Sequence, residues 1–434
     1  MGLRENILEE REKRIYLIRK FMKESEKFII IIKCNVCGND KNFSYLECVK
    51  KYFLNLVYQN FNVYKSNYYA SADGNYYLVQ INDREELIIK NELIMLEEQA
   101  FGRYIDLDLY TNLEHSISRG SLGIKSRKCI ICGGKTIECM RMSKHSAEEV
   151  LSKMERDVKV QLVNELVSYA KEAMTEEVSV DLKFGLVTKN SCGKHLDMDY
   201  NLFIKSIESI SQNIFAYANV GFDLNENSFE TLRTIGIDIE NSMFNATNGV
   251  NTHKGLIFLL GFVMPSIIDC LYNNKQFTTI EKNIKFLAKD IMKDFTTKKI
   301  KNTFGVKSYV KYSILGVRGE VLNGLDKVFN AVRLFECYEG TNDKLVLDLL
   351  LHYMSILDDT VILHSQDLGF LKYLKTVARN IIDVGGSRSE SGLNLIKAYT
   401  NEFINLGVSP GGSADMVAIT LLLLKVKKQF YREA

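Results

Sequence analysis

The sequence predicts two domains, an α+β domain followed by an all-α domain, and three observations carry this expectation. The chain has 434 residues, well past the roughly 250–300 at which a single core stops growing. Up to about residue 145, short β-branched runs alternate with stretches of helical spacing. From Asn201 onward, long amphipathic or wholly apolar helical runs follow one another. Hydrophobic residues make up 46% and charged residues 25%, the balance of a globular chain with a sizeable core, which excludes disordered and fibrous classes.

The elements follow in order. Met1 to Glu12 is charged and has neither the apolar stretch nor the cleavage site of an export signal. Within Ser25–Lys33, the run Phe28–Ile32 reads as a buried strand. Leu46, Val49, Phe53, Leu56 and Val57 share one side of a helix over Phe43–Phe61. Tyr76–Ile81 reads as a strand and Leu87–Glu98 as a helix. Ser146 with Glu149 is a capping box, and helical spacing continues from there to about Met174 without a Gly, Pro or Ser-rich linker. The boundary is therefore set at Asp157, giving domains 1–157 and 158–434. Gly255–Leu271, interrupted by Pro265 and Asp269, and Met416–Leu424 fall short of the ~20 uninterrupted apolar residues of a bilayer span. Both read as buried helices, so no membrane partner is expected.

Lys+Arg number 56 against 54 Asp+Glu, divided evenly between the two halves, and bulk charge therefore points away from nucleic acid as a partner. Nine cysteines, an odd number in a chain without an export signal, argue for a cytoplasmic protein rather than a disulfide framework.

In Gly102-Arg103-Tyr104-Ile105-Asp106-Leu107-Asp108-Leu109, strand alternation puts Ile105, Leu107 and Leu109 on one face and both aspartates on the other. Two carboxylates about 6.7 Å apart repel by roughly 2.5 kcal/mol at an effective dielectric of about 20. A bound Mg²⁺ would compensate and could hold a triphosphate; an exposed strand face is the plainer alternative. Arg103 beside Gly102 suits a phosphate approaching the backbone.

Cys129, Cys132, Cys139 and His145 have the spacing C-x2-C-x6-C-x5-H, four soft ligands that suit tetrahedral zinc. Reduced thiols are the default reading and zinc the alternative. Cys34 and Cys37 form a second C-x2-C pair, so a split four-cysteine site is also open.

Taken together, Gly102-Arg103-x-x-Asp106-x-Asp108, then Arg127-x-Cys129-x-x-Cys132, Cys139, Arg141 and His145 resemble the apo-citrate lyase phosphoribosyl-dephospho-CoA transferase family. The resemblance implies a nucleotidyltransferase-like α+β domain. In that family a serine of the citrate lyase acyl carrier protein (gamma) subunit attacks the α-phosphate of a triphosphoribosyl precursor and pyrophosphate leaves. By implication, Asp106 and Asp108 are catalytic and hold Mg²⁺, and Arg103 steadies phosphate.

Polar islands interrupt the helical remainder. Asn248–Gly255 places a glycine turn, capping side chains and Lys254 at a helix start, and Ser409–Asp415 places Gly411 and Gly412 before another. Each could form an anion nest or a plain turn. Glu240, Asp358 and Asp359 sit in apolar surroundings, where a carboxylate needs a partner. Arg318-Gly319-Glu320 and Gly193–Asp197 are similar, and the islands together predict a shared cavity.

Lys183-x-Gly185-Leu186-Val187, Gly193-x-His195-x-Asp197, Gly236–Gly255, Arg318-Gly319-Glu320, Asp359-Thr360 with His364, and Ser409–Asp415 closely resemble triphosphoribosyl-dephospho-CoA synthase. That family joins ATP to 3′-dephospho-CoA with loss of adenine, and the product is the substrate expected of the first domain. The resemblance makes Glu240 or Asp359 the catalytic base. Lys183, His195, Asn251, His253, Lys254, Arg318, Glu320, His364, Gly411, Gly412 and Ser413 become substrate or phosphate contacts, and Asp197 and Asp415 metal ligands. The expectation is a bifunctional enzyme that makes and attaches the citrate lyase prosthetic group. The rivals are the same chemistry serving a malonate decarboxylase carrier, and a zinc-dependent nucleic-acid-binding protein with a helical scaffold.

Overall fold

The computed structural model describes residues 3–24, 27–83, 85–111, 116–117, 122–123, 127–295 and 304–432. The chain divides into two compact units, one of Met1–Glu165, Leu271–Lys275 and Lys427–Ala434, the other of Leu166–Cys270 and Gln276–Val426.

The first unit is α+β. Helix α1 (Leu3–Glu24) precedes strand β1 (Phe28–Cys34), helix α2 (Tyr45–Asn60), strands β2 (Val63–Tyr69) and β3 (Tyr76–Ile81), helix α3 (Glu86–Leu96), and strands β4 (Ile105–Tyr110) and β5 (Ser116–Ile117). The sheet is antiparallel throughout in the order β2-β3-β1-β4-β5. The four isoleucines of β1 are buried on both faces, which is why the run lacks alternation and reads as a central strand. On β4 the alternation holds: Ile105, Leu107 and Leu109 are fully buried, while Asp106 and Asp108 are not. Register sets Lys33 opposite Asp106 and Ile31 opposite Asp108, on one face of the sheet. That face is the one α1 covers, through Ile18 packed with Ile29, Ile31, Tyr76 and Leu78. Neither α1 nor β2 is expected from the sequence; α1 is mostly charged and its apolar stripe is confined to its last turns.

Helix α4 (Thr136–Arg141) is short, and α5 (Ala147–Ser179) runs unbroken past residue 157. Its capping box forms as expected, with Ser146 N–H donating to Glu149 Oε2 (2.8 Å) and Glu149 N–H to Ser146 Oγ (3.1 Å).

The second unit is helical. It contains α6 (Tyr200–Ser211), α7 (Phe215–Val220), α8 (Ser228–Ala246), α9 (Lys254–Tyr272), α10 (Thr279–Ala288), α11 (Phe304–Tyr312), α12 (Val317–Leu322) and α13 (Asp326–Phe335), then α14 (Asn342–Ile356), α15 (Thr360–Ser365), α16 (Leu368–Asp383), α17 (Glu390–Asn405) and α18 (Gly411–Phe430). Among the described residues, only α9 is long and apolar enough to cross a bilayer, and 83% of its apolar window is buried inside the protein. It is a core helix, as are the apolar turns of α18.

Candidate active site

In the second unit a cavity of about 180 Å³ opens where the start of α9, the start of α18 and the loop after α5 converge. Close backbone approach shapes this corner. Gly185 has φ +82°, and a side chain there would overlap the Val408 carbonyl. The loop from Lys183 is thereby pressed onto the segment leading into α18. Of the residues predicted to bind substrate or metal, Lys183, His195, Asn251, His253, Lys254, Gly411 and Asp415 line the cavity.

Asp415 is the central group. A Cβ at residue 255 would overlap Asp415 Oδ2 and lie 3.2 Å from Cγ, so the carboxylate rests on the bare Cα of Gly255 in the first turn of α9. Loss of solvation, then repulsion from Asp359 and Glu177, raises its pKa well above the usual carboxylate range. Among the described residues no hydrogen-bond donor engages it.

Asp359 is the reverse case. Its carboxylate accepts N–H from Val361 (2.9 Å), Gly412 (3.3 Å) and Ser413 (2.9 Å), and the Ser413 hydroxyl (3.1 Å). Four donors use the lone-pair sites a carboxylate has. Burial still raises its pKa. The phosphate nest expected at Gly411, Gly412 and Ser413 is therefore corrected: Asp359 occupies the position of the anion at the start of α18, and Gly411 N–H bonds the Ser409 carbonyl (3.0 Å). The same saturation leaves Asp359 no free lone pair with which to act as a base.

Glu240 on α8 pairs with Lys254 Nζ (2.7 Å), and Asn251 Oδ1 accepts the Lys254 N–H (3.2 Å) at the start of α9. Lys183, 1% exposed, donates to the Glu177 carbonyl (2.6 Å) and carboxylate (2.8 Å). Thr252 donates to Ser206 Oγ (2.7 Å), and Ser206 Oγ shares a hydrogen bond with His253 Nδ1 (2.7 Å). Burial, then the Lys183 charge, lowers the His253 pKa to about 3. His253 is thus neutral, an uncharged imidazole in the cavity wall. His195 contacts Ser409 Oγ (3.3 Å) and lies 3.9 Å from exposed Asp197.

Arg318, Glu320 and His364 are not among the cavity's lining residues. Arg318 sits 5.6 Å from the Phe258 ring, one turn along α9 from Lys254. Glu320 pairs with Lys327 (2.5 Å), while its buried Oε2 has no partner among the described residues.

In the first unit, Asp106 and Asp108 lie side by side as expected. Burial raises both pKa values; Asp108 and Glu97 raise Asp106 further, while Arg127, 3.3 Å away, opposes the shift. Adjacent carboxylates that both resist ionisation fit a divalent cation. Sequence reasoning missed what stands beside them. Asp73, in the β2–β3 loop and fully buried, is ringed by Arg11 (3.1 Å), Arg14 (2.9 Å), Lys33 and Lys41 (3.8 Å). Burial opposes ionisation there, but hydrogen bonds from Lys33 and Arg14 bring Asp73 down to about 2. Four cations share one carboxylate, and Arg14 and Lys33 also act on Asp108. The signal was present: Arg11 and Arg14 extend the Ile18–Phe21 stripe of α1 at helical spacing.

Cys129, Cys132, Cys139 and His145 place their donor atoms within 4.8 Å of one another. Hydrogen bonds from backbone N–H groups of Cys132 and Ile131 lower the Cys129 thiol to about 7. The split site does not form, because Cys34 bonds the Leu46 carbonyl and Cys37 the Ala147 carbonyl.

An acid-lined helical cavity and a carboxylate pair beside a cationic cluster define a bifunctional transferase. Residues 163–433 match the family CitG, ATP:dephospho-CoA triphosphoribosyl transferase, and residues 3–161 match CitX, apo-citrate lyase phosphoribosyl-dephospho-CoA transferase. The chain is 30% identical over 364 residues to Protein CitXG of Leuconostoc mesenteroides subsp. cremoris, covering 78% of each chain. It is 28% identical over 375 residues to Protein CitXG of Haemophilus influenzae, covering 81% of this chain and 79% of that one. It is also 32% identical over 268 residues to the probable 2-(5''-triphosphoribosyl)-3'-dephosphocoenzyme-A synthase of Acinetobacter calcoaceticus, covering 60% of this chain and 90% of that protein. The chain belongs to the CitXG family, uniting synthesis and attachment of the citrate lyase prosthetic group.

Proposed function

We propose that the helical portion, residues 158–434, binds ATP and 3′-dephospho-CoA at the α9–α18 cavity, with Asp415 as the base. The 2′-hydroxyl of dephospho-CoA attacks C1′ of the ATP ribose, the C1′–N9 bond breaks, and adenine departs with the electron pair of that bond and takes up a proton from solvent. Asp415 takes the hydroxyl proton, for which its raised proton affinity suits it. His253 and Lys254 line the same space, and Lys254 supplies donors to the nucleotides, with Glu240 orienting it. Asp359 positions Asp415 by holding the first turn of α18. The observation that carries this reading is a carboxylate that no donor among the described residues engages, seated on a helix N-terminus inside a cavity.

Residues 1–157 act as the nucleotidyltransferase. The serine Oγ of the citrate lyase acyl carrier protein, on its gamma subunit, attacks the α-phosphorus of the triphosphoribosyl group, and the bond to pyrophosphate breaks. Asp106 and Asp108 would hold Mg²⁺, which neutralises charge on the triphosphate. Arg11, Arg14, Lys33 and Lys41 carry three positive charges beyond Asp73 and receive the same polyanion. Arg103 and Arg127 border the aspartates. A cytoplasmic setting, where both nucleotides are at hand, suits the reaction.

Purified protein given Mg²⁺, ATP and dephospho-CoA should release adenine, and pyrophosphate only once apo carrier protein is added. Asp106→Ala should end carrier modification and leave adenine release intact. No adenine from the complete mixture would reject the first assignment, and loss of both activities in the variant would reject separate sites.

A further inference from the structure

We propose that Cys129, Cys132, Cys139 and His145 bind one structural zinc ion, which fastens the segment bearing Arg127 beside the aspartate pair. From Arg127 to Ser146 only Cys129 is buried, and α4 has no buried residue at all. Met140 and Met142 are 74% and 78% exposed. Twenty residues with defined turns but no apolar core need another source of order, and a metal supplies it.

The geometry fits zinc closely. Two sulfurs at 2.3 Å from a tetrahedral centre lie roughly 3.8 Å apart, and Cys132 Sγ and Cys139 Sγ are 3.4 Å apart. Lys128 and Lys135 form a bridge that closes a tight hairpin. Within it Cys129 N–H donates to the Gly134 carbonyl (2.7 Å) and Gly133 N–H to the Cys129 carbonyl (2.9 Å). Gly133 has φ +70°, the left-handed conformation that lets Cys132 fold back toward Cys129. Backbone N–H groups of Ile131 and Cys132 point at Cys129 Sγ, the arrangement that supports a metal-bound thiolate. A second, independent observation is His145: among the described residues its buried Nε2 has no hydrogen-bond partner, although its neighbours are three thiols. Three sulfurs and one nitrogen complete four-coordination with no open position, so the site is structural rather than catalytic.

The hairpin is wired to the aspartates. Arg127 pairs with Glu97 (2.9 Å) and Asp106 (3.3 Å), and the Lys128 carbonyl accepts a bond from Arg103. Arg127 is thus a positioning residue whose own placement depends on the metal.

The test uses the full chain purified under reducing conditions without added metal. Elemental analysis should give one zinc per chain, and Cys139→Ser should bring this below one tenth. Exchange into cobalt(II) should produce the intense visible absorption of a tetrahedral thiolate site, absent in Cys139→Ser and altered in His145→Ala. Adenine release by Cys139→Ser should stay within twofold of the parent chain, showing that the helical unit still folds, while carrier modification falls about tenfold or more. Metal content is read without reference to either activity, so its failure is distinct from failure of the proposed reactions. A metal-free chain with three freely titrating thiols, a Cys132–Cys139 disulfide, or iron in place of zinc would each overturn the proposal.

Discussion

Asp415 and Gly255 touch so closely that residue 255 has no room for a side chain: a Cβ there would overlap Oδ2. The contact fixes the carboxylate over the first turn of α9, inside the cavity. Gly255→Ala should therefore displace Asp415, whose atoms are the ones an added Cβ meets. Adenine release should fall about 100-fold, the scale of a misplaced reacting group, with carrier modification unchanged when preformed triphosphoribosyl substrate is supplied. Undiminished kcat for adenine release would remove Asp415 from the mechanism.

Asp359 and Asp415 differ in their partners: the first accepts four hydrogen bonds, the second, among the described residues, none. Asp359→Asn replaces one acceptor oxygen by an N–H donor that faces either the N–H groups of Val361 and Gly412 at Oδ1 or the N–H and hydroxyl of Ser413 at Oδ2. Thermal and urea unfolding should show a loss of about 3 kcal/mol. Its kcat per folded molecule should fall far less than that of Asp415→Asn. The opposite ranking would return the base assignment to Asp359.

The legible parts of this chain are those where local chemistry decides the structure. Ile29 to Ile32, the Asp106-Leu107-Asp108 alternation and the Ser146–Glu149 box each form as their pattern dictates. The cavity residues were legible as polar islands in apolar helices. What each island does was not, because Gly412 N–H reaches Asp359 across 53 positions of sequence. Glycines before a helix can greet a phosphate or a carboxylate, and only the fold selects between them. The Asp73 cluster was hidden for the same reason: Arg14 and Asp73 are 59 positions apart, and β2, which leads to that loop, presents polar residues without a clean alternation.

The cationic ring around Asp73 should be felt in substrate binding. Arg14→Ala and Lys33→Ala each remove one charge from the field that reaches Asp108. The KM for the triphosphoribosyl substrate should rise roughly tenfold in each, the scale of one charge-assisted hydrogen bond. The KM for carrier protein and the rate of adenine release should not move. An unchanged KM for the nucleotide would show that the ring serves only to bury Asp73.

The neutral His253 makes a prediction about acid. Its pKa is about 3 in the fold, through burial and then Lys183, against about 6.5 in the unfolded chain. Protonation therefore favours unfolding. The stability this group contributes is fully present above about 6.5 and is lost progressively as pH falls toward 3. Between about pH 7.5 and 5 the loss amounts to about 2 kcal/mol. His195, lowered by burial and Lys194, acts in the same direction, while the raised carboxyls of Asp359 and Asp415 act in the other, because the fold holds their protons more tightly. Only a difference isolates His253. Urea unfolding of the parent chain and of His253→Gln at both pH values should show the parent losing about 2 kcal/mol more on acidification. Parallel losses would place a charged, solvated imidazole at this position, with His253 Nδ1–H donating to Ser206 Oγ.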